Sequence, residues 1–196
     1  MARQLLGLAL VGLAVLPGVA SGGEVTDEAA ARHVAIIEAQ HEALVSAMEA
    51  GPLVLRRALL VAEQPNRYGE YVPRADRPFA LGEAMHVYLE PFGLVHRRDG
   101  DVWRLDVMLG LAIEDEAGRS IVHEPEFGGI SIANRERRAE VMTYLSLNVA
   151  DAPAGRYVLV VSLRDRVSAK TARVRLPFSV AGDGGGAVRG PSTALQ

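Results

Sequence analysis

The stretch from Asp151 to Val180, DAPAGRYVLVVSLRDRVSAKTARVRLPFSV, decides the fold. Pro153 fixes one φ angle and Gly155 permits a positive one, so Asp151–Gly155 reads as a corner. From Tyr157 the chain alternates. Tyr157, Leu159, Val161 and Leu163 face one way, while Val158, Val160, Ser162 and Arg164 face the other. After a polar turn over Arg166–Lys170, Ala172, Val174, Leu176, Phe178 and Val180 again share a face, opposite Thr171, Arg173, Arg175, Pro177 and Ser179. A period of two on both sides of a short connection predicts an antiparallel hairpin with one wet face. A lone hairpin is marginal in water, so its apolar face needs a second sheet.

Upstream segments supply that sheet. Val102–Glu114 alternates throughout, with Trp103, Leu105, Val107, Leu109, Leu111 and Ile113 on one side. Ala84–Glu90 puts Met85, Val87 and Leu89 on one face and His86, Tyr88 and Glu90 on the other, and Pro91-Phe92-Gly93 is expected to stop it. Leu53–Glu63, Ser120–His123 and Ala139–Val149 add strands, and Glu124–Arg138 is a looser segment between the last two. The pattern predicts a mainly β fold: an immunoglobulin-like or fibronectin-III-like antiparallel sandwich of seven or eight strands in residues 53–180, preceded by one amphipathic helix. Trp103 is expected in the core, and Tyr157 at the start of the penultimate strand is expected to form a tyrosine corner.

Several runs carry a resemblance: Glu70–Arg74, Phe79–Glu83, Val87–Pro91, Gly155–Tyr157, Leu163–Lys170 and Leu176–Phe178. In these the chain resembles a set of uncharacterised secreted bacterial proteins with such a sandwich, over roughly Tyr68 to Val180. The resemblance implies the fold and brings no activity with it.

Residues 1–20 read as a secretory signal peptide. Met1-Ala2-Arg3 is a basic start, Leu5–Leu16 is apolar, and Gly18-Val19-Ala20 offers small residues for cleavage. That apolar run falls short of the roughly 20 residues a membrane span needs, so the expectation is export to the periplasm or medium, with no integral membrane segment in the mature chain. The formal charge is −3, and loss of Arg3 with the leader makes it 20 − 24 = −4. A mildly acidic chain gives no electrostatic reason to expect nucleic acid. Cysteine is absent, which removes disulfides, thiol catalysis and cysteine-ligated metal. Of 21 basic residues only Lys170 is lysine, a bias that a GC-rich coding sequence accounts for. Residues 181–196 begin Ala-Gly-Asp-Gly-Gly-Gly and are expected to be disordered.

Residues 24–50 are expected to form the helix, capped by Thr26 or Asp27 and ended by Gly51-Pro52. Val34, Ile37, Leu44, Val45 and Met48 make an apolar stripe with His41 inside it. With Gly51-Pro52 as a hinge, the stripe through Val34, Ile37, Leu44 and Met48 can meet a second copy or another envelope protein; docking on its own domain is the plainer alternative. His33 and His41 stand about 12 Å apart along the axis at ~1.5 Å per residue, too far to share one ion.

No nucleophile elbow, P-loop or His-Glu-x-x-His run occurs, and no feature calls for a cofactor. Asp99-Gly100-Asp101 reads as a polar turn. His123, Glu124 and Glu126 would need a third element such as His96 to hold a metal. Asp165 is expected to accept backbone N–H groups of the Arg166–Lys170 turn. His86, Tyr88 and Glu90 form a row of ligand-capable groups, or else the solvent side of a half-buried strand. Three classes of function remain: a protein-interaction or assembly module of the cell envelope, a small-ligand or carbohydrate-binding module, and an enzyme, for which no positive feature exists.

Overall fold

The computed structural model describes residues 27–148 and 152–182. The leader over residues 1–20, the helix start at 24–26 and the tail from 183 therefore lie outside the described residues. The chain divides into two units, Met1–Glu38 and Ala39–Gln196. What is described of the first is the beginning of α1 (Glu28–Ala50). Asp27 caps it: its Oδ1 accepts the Ala29 N–H at 3.0 Å and its carbonyl the Ala31 N–H at 2.9 Å.

In the second unit, β1 (Val54–Val61), β2 (Ala84–Phe92) and β6 (Thr143–Asn148) form one antiparallel sheet in the order β1-β2-β6. Opposite lie β3 (Arg97–Asp99), β4 (Val102–Asp115), β5 (Ser120–Asn134), β7 (Gly155–Asp165) and β8 (Thr171–Val180). There β4 pairs with β3, β5 and β7, and β7 with β8. The chain changes sheet between β2 and β3, between β5 and β6, and again between β6 and β7. This is the immunoglobulin-like sandwich that the period-two pattern predicts. Inward residues of both sheets make one core, with Val87, Leu89, Leu105, Leu159, Val161 and Leu163 all but inaccessible.

The decisive hairpin forms as read, with Tyr157 opposite Phe178 and Leu163 opposite Ala172. Tyr157 is buried and its hydroxyl donates to the Pro153 carbonyl at 2.7 Å, which is the tyrosine corner. Asp165 is buried at the far end. It accepts the N–H groups of Val167 at 2.8 Å and Val95 at 2.9 Å, and the Ser168 hydroxyl at 2.6 Å.

Four readings change. Trp103 has the inward parity but stands at the start of β4 and outside the buried core. It is half-buried, between the guanidinium groups of Arg98 at 5.2 Å and Arg137 at 5.4 Å. Pro91 does not stop β2; it pairs with Leu55 as the strand runs on to Phe92. The looser segment after His123 is strand, continuous with β5, because a register shift lets Pro125 pass over Gly110. A Cβ on Gly110 would stand 2.6 Å from the Pro125 carbonyl oxygen, so only glycine fits beneath that arch. The predicted strand from Ala139 begins only at Thr143.

Candidate functional site

The last turns of α1 are fixed to the sandwich by charge. Arg137 follows β5, and its Nε donates to Glu42 Oε2 at 3.0 Å, its Nη1 to Glu49 Oε2 at 3.1 Å and its Nη2 to Ser46 Oγ at 2.9 Å, with Glu42 again beside Nη2. The hydrogen bond from Arg137 holds the Glu42 carboxyl below its usual range. His41 Nε2 donates to the Arg137 carbonyl at 2.8 Å. The His96 Nδ1 reaches Glu49 Oε1 at 2.7 Å, while its Nε2 accepts the Arg138 N–H at 3.1 Å, a pattern that fits the neutral Nδ1–H tautomer. Below them the Lys170 ammonium donates to the carbonyls of Glu49, of Gly51 at 2.7 Å and of Gly93 at 3.1 Å. A cation on the terminal carbonyls also complements the helix dipole. Gly51-Pro52 is therefore not a free hinge: Lys170 ties the Glu49 and Gly51 carbonyls to that of Gly93, and Gly93, at φ 94°, packs its backbone against Pro52.

Among the sequence-predicted helix residues, Val45 is buried and Met48 half-buried, while Val34, Ile37 and Leu44 remain 42%, 52% and 50% exposed. Ile36, outside the predicted stripe, is 56% exposed. The stripe is thus divided, with Val45 closed in and the residues nearer the helix start left to solvent.

Two residues of the row on β2 do not form a wet face. Tyr88 is inaccessible and Glu90 is 3% exposed, because the segment between β1 and β2 folds back over them. The Tyr71 ring lies 4.5 Å from that of Tyr88, and the Tyr88 hydroxyl accepts the Gly69 N–H at 2.7 Å and donates to Glu90 Oε1 at 2.8 Å. Register brings Arg57 opposite Glu90, and Arg56 donates to Glu90 Oε2 through Nη2 at 2.6 Å. Arg56 and Arg57 also bond the Tyr68 and Tyr71 hydroxyls. Burial, with Glu90 adding to it, pushes the Tyr88 phenol up to about 12, which unfits it as a base near neutrality. His86 stays at the margin, its Nδ1 2.8 Å from Ser146 Oγ. This cluster latches a loop to a sheet, and the alternation that reads as polar-out marks polar groups closed in with their partners.

His123, Glu124 and Glu126 lie exposed on β5, far in the fold from His96, which is engaged with Glu49. Asp99 pairs with Arg104 across the β3–β4 turn. Among the described residues no group of three His, Asp or Glu could hold a metal ion, and no helix is long and apolar enough to cross a membrane. Sequence reading missed Arg137 and the role of Lys170. The one available signal was that a lysine stood alone among arginines.

Comparison with family models finds no match, and comparison with curated proteins finds none. A search of solved structures returns a family 123 glycoside hydrolase from Clostridium perfringens, described for glycolipid glycan hydrolysis. Its TM-score is 0.37 and its identity 10%, over 66% of this chain and 27% of the enzyme. The chain thus spans about a quarter of that enzyme's length.

Proposed function

We propose that this chain is an exported, non-catalytic protein-interaction module of the cell envelope that offers the apolar residues of α1 to a helix of a partner or of a second copy. One observation carries the reading: Val34, Ile37 and Leu44 are about half exposed on a helix whose other end is held by Arg137 and Lys170. Each such side chain, once covered, is worth about 1.5–3 kcal/mol, and amphipathic helices commonly pair through residues at this spacing. The clamp supports a fixed presentation of the last turns and reduces the entropy lost on docking.

The paired variant Ile37→Asp with Leu44→Asp tests the reading. Sedimentation and capture from an envelope extract should show the parent associating and the variant failing to, with an unchanged urea midpoint. A parent that stays monomeric and retains nothing, or a variant that associates equally well, removes the proposal. Export is checked separately by mass spectrometry of the secreted chain, which should begin near Ser21.

A further inference from the structure

Strand β5 pairs with β4 and with no other strand among the described residues, whereas β3 and β7 take the opposite side of β4. An edge presents unpaired backbone groups, and folded proteins blunt it with charge, proline or a bulge. The first half of β5 is blunted in all three ways. Glu124 and Glu126 are exposed, Pro125 has no N–H, and the strand breaks register over Gly110. The edges of β1 and β8 are covered in part as well. The Ala62 N–H, just past β1, donates to the Val72 carbonyl at 2.8 Å, and Phe79 lies against the end of β8, where its carbonyl accepts the Ala181 N–H at 2.8 Å. From Gly128 to Asn134 none of these devices occurs, and the register with β4 is unbroken.

The direction of the backbone groups follows from one bond. The Arg166 N–H donates to the Asp106 carbonyl at 2.8 Å, so Asp106 turns its backbone towards β7. Direction alternates along a strand, so Leu105 and Val107 turn towards β5 and engage Ile132 and Ile130. The N–H and C=O groups of Gly129, Ser131 and Ala133 are left directed out of the sheet, and all three residues are exposed. Their side chains are too small to shield the edge. Ile130 and Ile132 pack against the core yet stay half-buried, with no further strand beside them. Charge is also divided along this strand. Glu124 and Glu126 stand in its first half, and three arginines follow its end. Arg137 is engaged with Glu42 and Glu49, whereas Arg135 and Arg138 are exposed and outnumber the one acid between them, Glu136.

We propose that Gly128–Asn134 pairs with the same segment of a second copy, antiparallel about a two-fold axis at Ser131. This register sets Ser131 against Ser131 of the second copy and Gly129 against its Ala133. Every outward backbone group then finds a partner, with two bonds exchanged at each such pair. Ile130 falls beside the second copy's Ile132, which draws both from water. Antiparallel order lays the acidic half of each β5 along the arginines that follow the other, with Glu124 level with Arg138 of the second copy. A two-fold contact of this kind is self-complementary and closes at two chains. So short an edge falls below the roughly 1,200 Å² of lasting complexes, so the pairing is weak and needs protein well above micromolar concentration. The contact is separate from the exposed residues of α1 and stands whether or not α1 has a partner.

Disulfide cross-linking of the full chain tests the register. The sequence holds no cysteine, and strand residues that exchange two bonds lie about 5.5 Å apart at Cα, within disulfide reach. Ser131→Cys should therefore give a covalent dimer under mild oxidation, whereas Ser120→Cys, at the far end of β5, should not. Sedimentation over a rising concentration series should show the parent dimerising reversibly. Ser131→Lys, which sets two ammonium groups face to face at the axis, should weaken that dimer about fivefold. Glu124→Arg should weaken it too, and adding Arg138→Glu should restore it. Ile37→Asp with Leu44→Asp leaves β5 untouched, so the Ser131→Cys cross-link should persist in that background and is read apart from α1. A parent that stays monomeric at millimolar concentration, no cross-link from Ser131→Cys, or one equally strong from Ser120→Cys would each overturn the proposal. The first of these would leave the edge to an extended segment of a different protein.

Discussion

Arg137 and Arg74 are both withdrawn from water, with side chains 13% and 6% exposed, and both lie beside an aromatic ring, Trp103 and Phe79. They differ in what their nitrogens meet. Arg137 has an acceptor at every one, from Glu42, Glu49 and Ser46, whereas Arg74 has one at Nη1 alone. Burial and a stacked ring are common to both; the number of donors that meet an acceptor is what differs. The sharpest way to break this contrast is Arg137→Met. It leaves Glu42 and Glu49 without their shared cation, with Lys170 and His96 still on the last turn of α1. The expected loss is about 2–3 kcal/mol, below that for breaking a fully buried pair because the Glu42 side chain is 53% exposed. A urea midpoint close to that of the parent would remove the latch.

Acid probes the other arginine through its single partner. Burial alone would raise the Glu83 carboxyl, but the bonds from Arg74, Ala80 and Arg77 outweigh it and lower it from 4.5 to about 2. Since the folded value lies below the unfolded one, the stability it contributes is full above about pH 4.5 and is lost as pH falls towards about 2. At 1.36 kcal/mol per unit, and discounted for its partial exposure, the contribution is on the order of 2 kcal/mol. Glu83→Gln should flatten that part of the stability curve. An equal acid loss in the variant would assign the effect elsewhere.

A smaller effect is expected at the other end of the latch. Lys170→Arg keeps the charge but replaces three donors on one atom with a flat fork, which does not converge on three carbonyls. The loss should be about 1–2 kcal/mol, read from thermal and urea unfolding, with faster amide exchange in the last turn of α1. Here the limits of the sequence show plainly. The strands were legible because period-two burial is local: β7 and β8 follow from their own residues, and so do the Tyr157 corner and the Asp165 turn. The outer side of β2 was not legible, because Tyr88 and Glu90 owe their burial to Tyr71 and to Arg56 and Arg57, which only the fold brings near. Trp103 misled too, since its parity is inward yet it is half-buried between Arg98 and Arg137. Of the helix stripe, Val45 is turned inward and Leu44 outward. A cleft lined by β1 and β8 escaped altogether, because Arg74 and Phe79, in the connection between β1 and β2, meet Phe178 of β8 only in the fold.

The smallest expected effect sharpens the comparison most. Arg74→Met removes one bond to Glu83 and the contact with Phe79, which as a cation–π pair is worth about 0.5–2 kcal/mol. Against that loss stands a gain, for the buried donors at Nε and Nη2 disappear with the guanidinium, and leaving such groups unmatched costs about 1–3 kcal/mol. Glu83 keeps Arg77 and the Ala80 N–H, so no carboxylate is stranded, unlike Glu42 and Glu49 in the Arg137 variant. Methionine also fills much of the volume against the Phe79 ring. The two sides nearly cancel, and the net change in unfolding free energy should lie within about 1 kcal/mol of zero. Paired urea titrations of the two arginine variants measure the contrast directly. If Arg74→Met costs as much as Arg137→Met, both arginines are latches and the unpaired donors carry no penalty in the folded state.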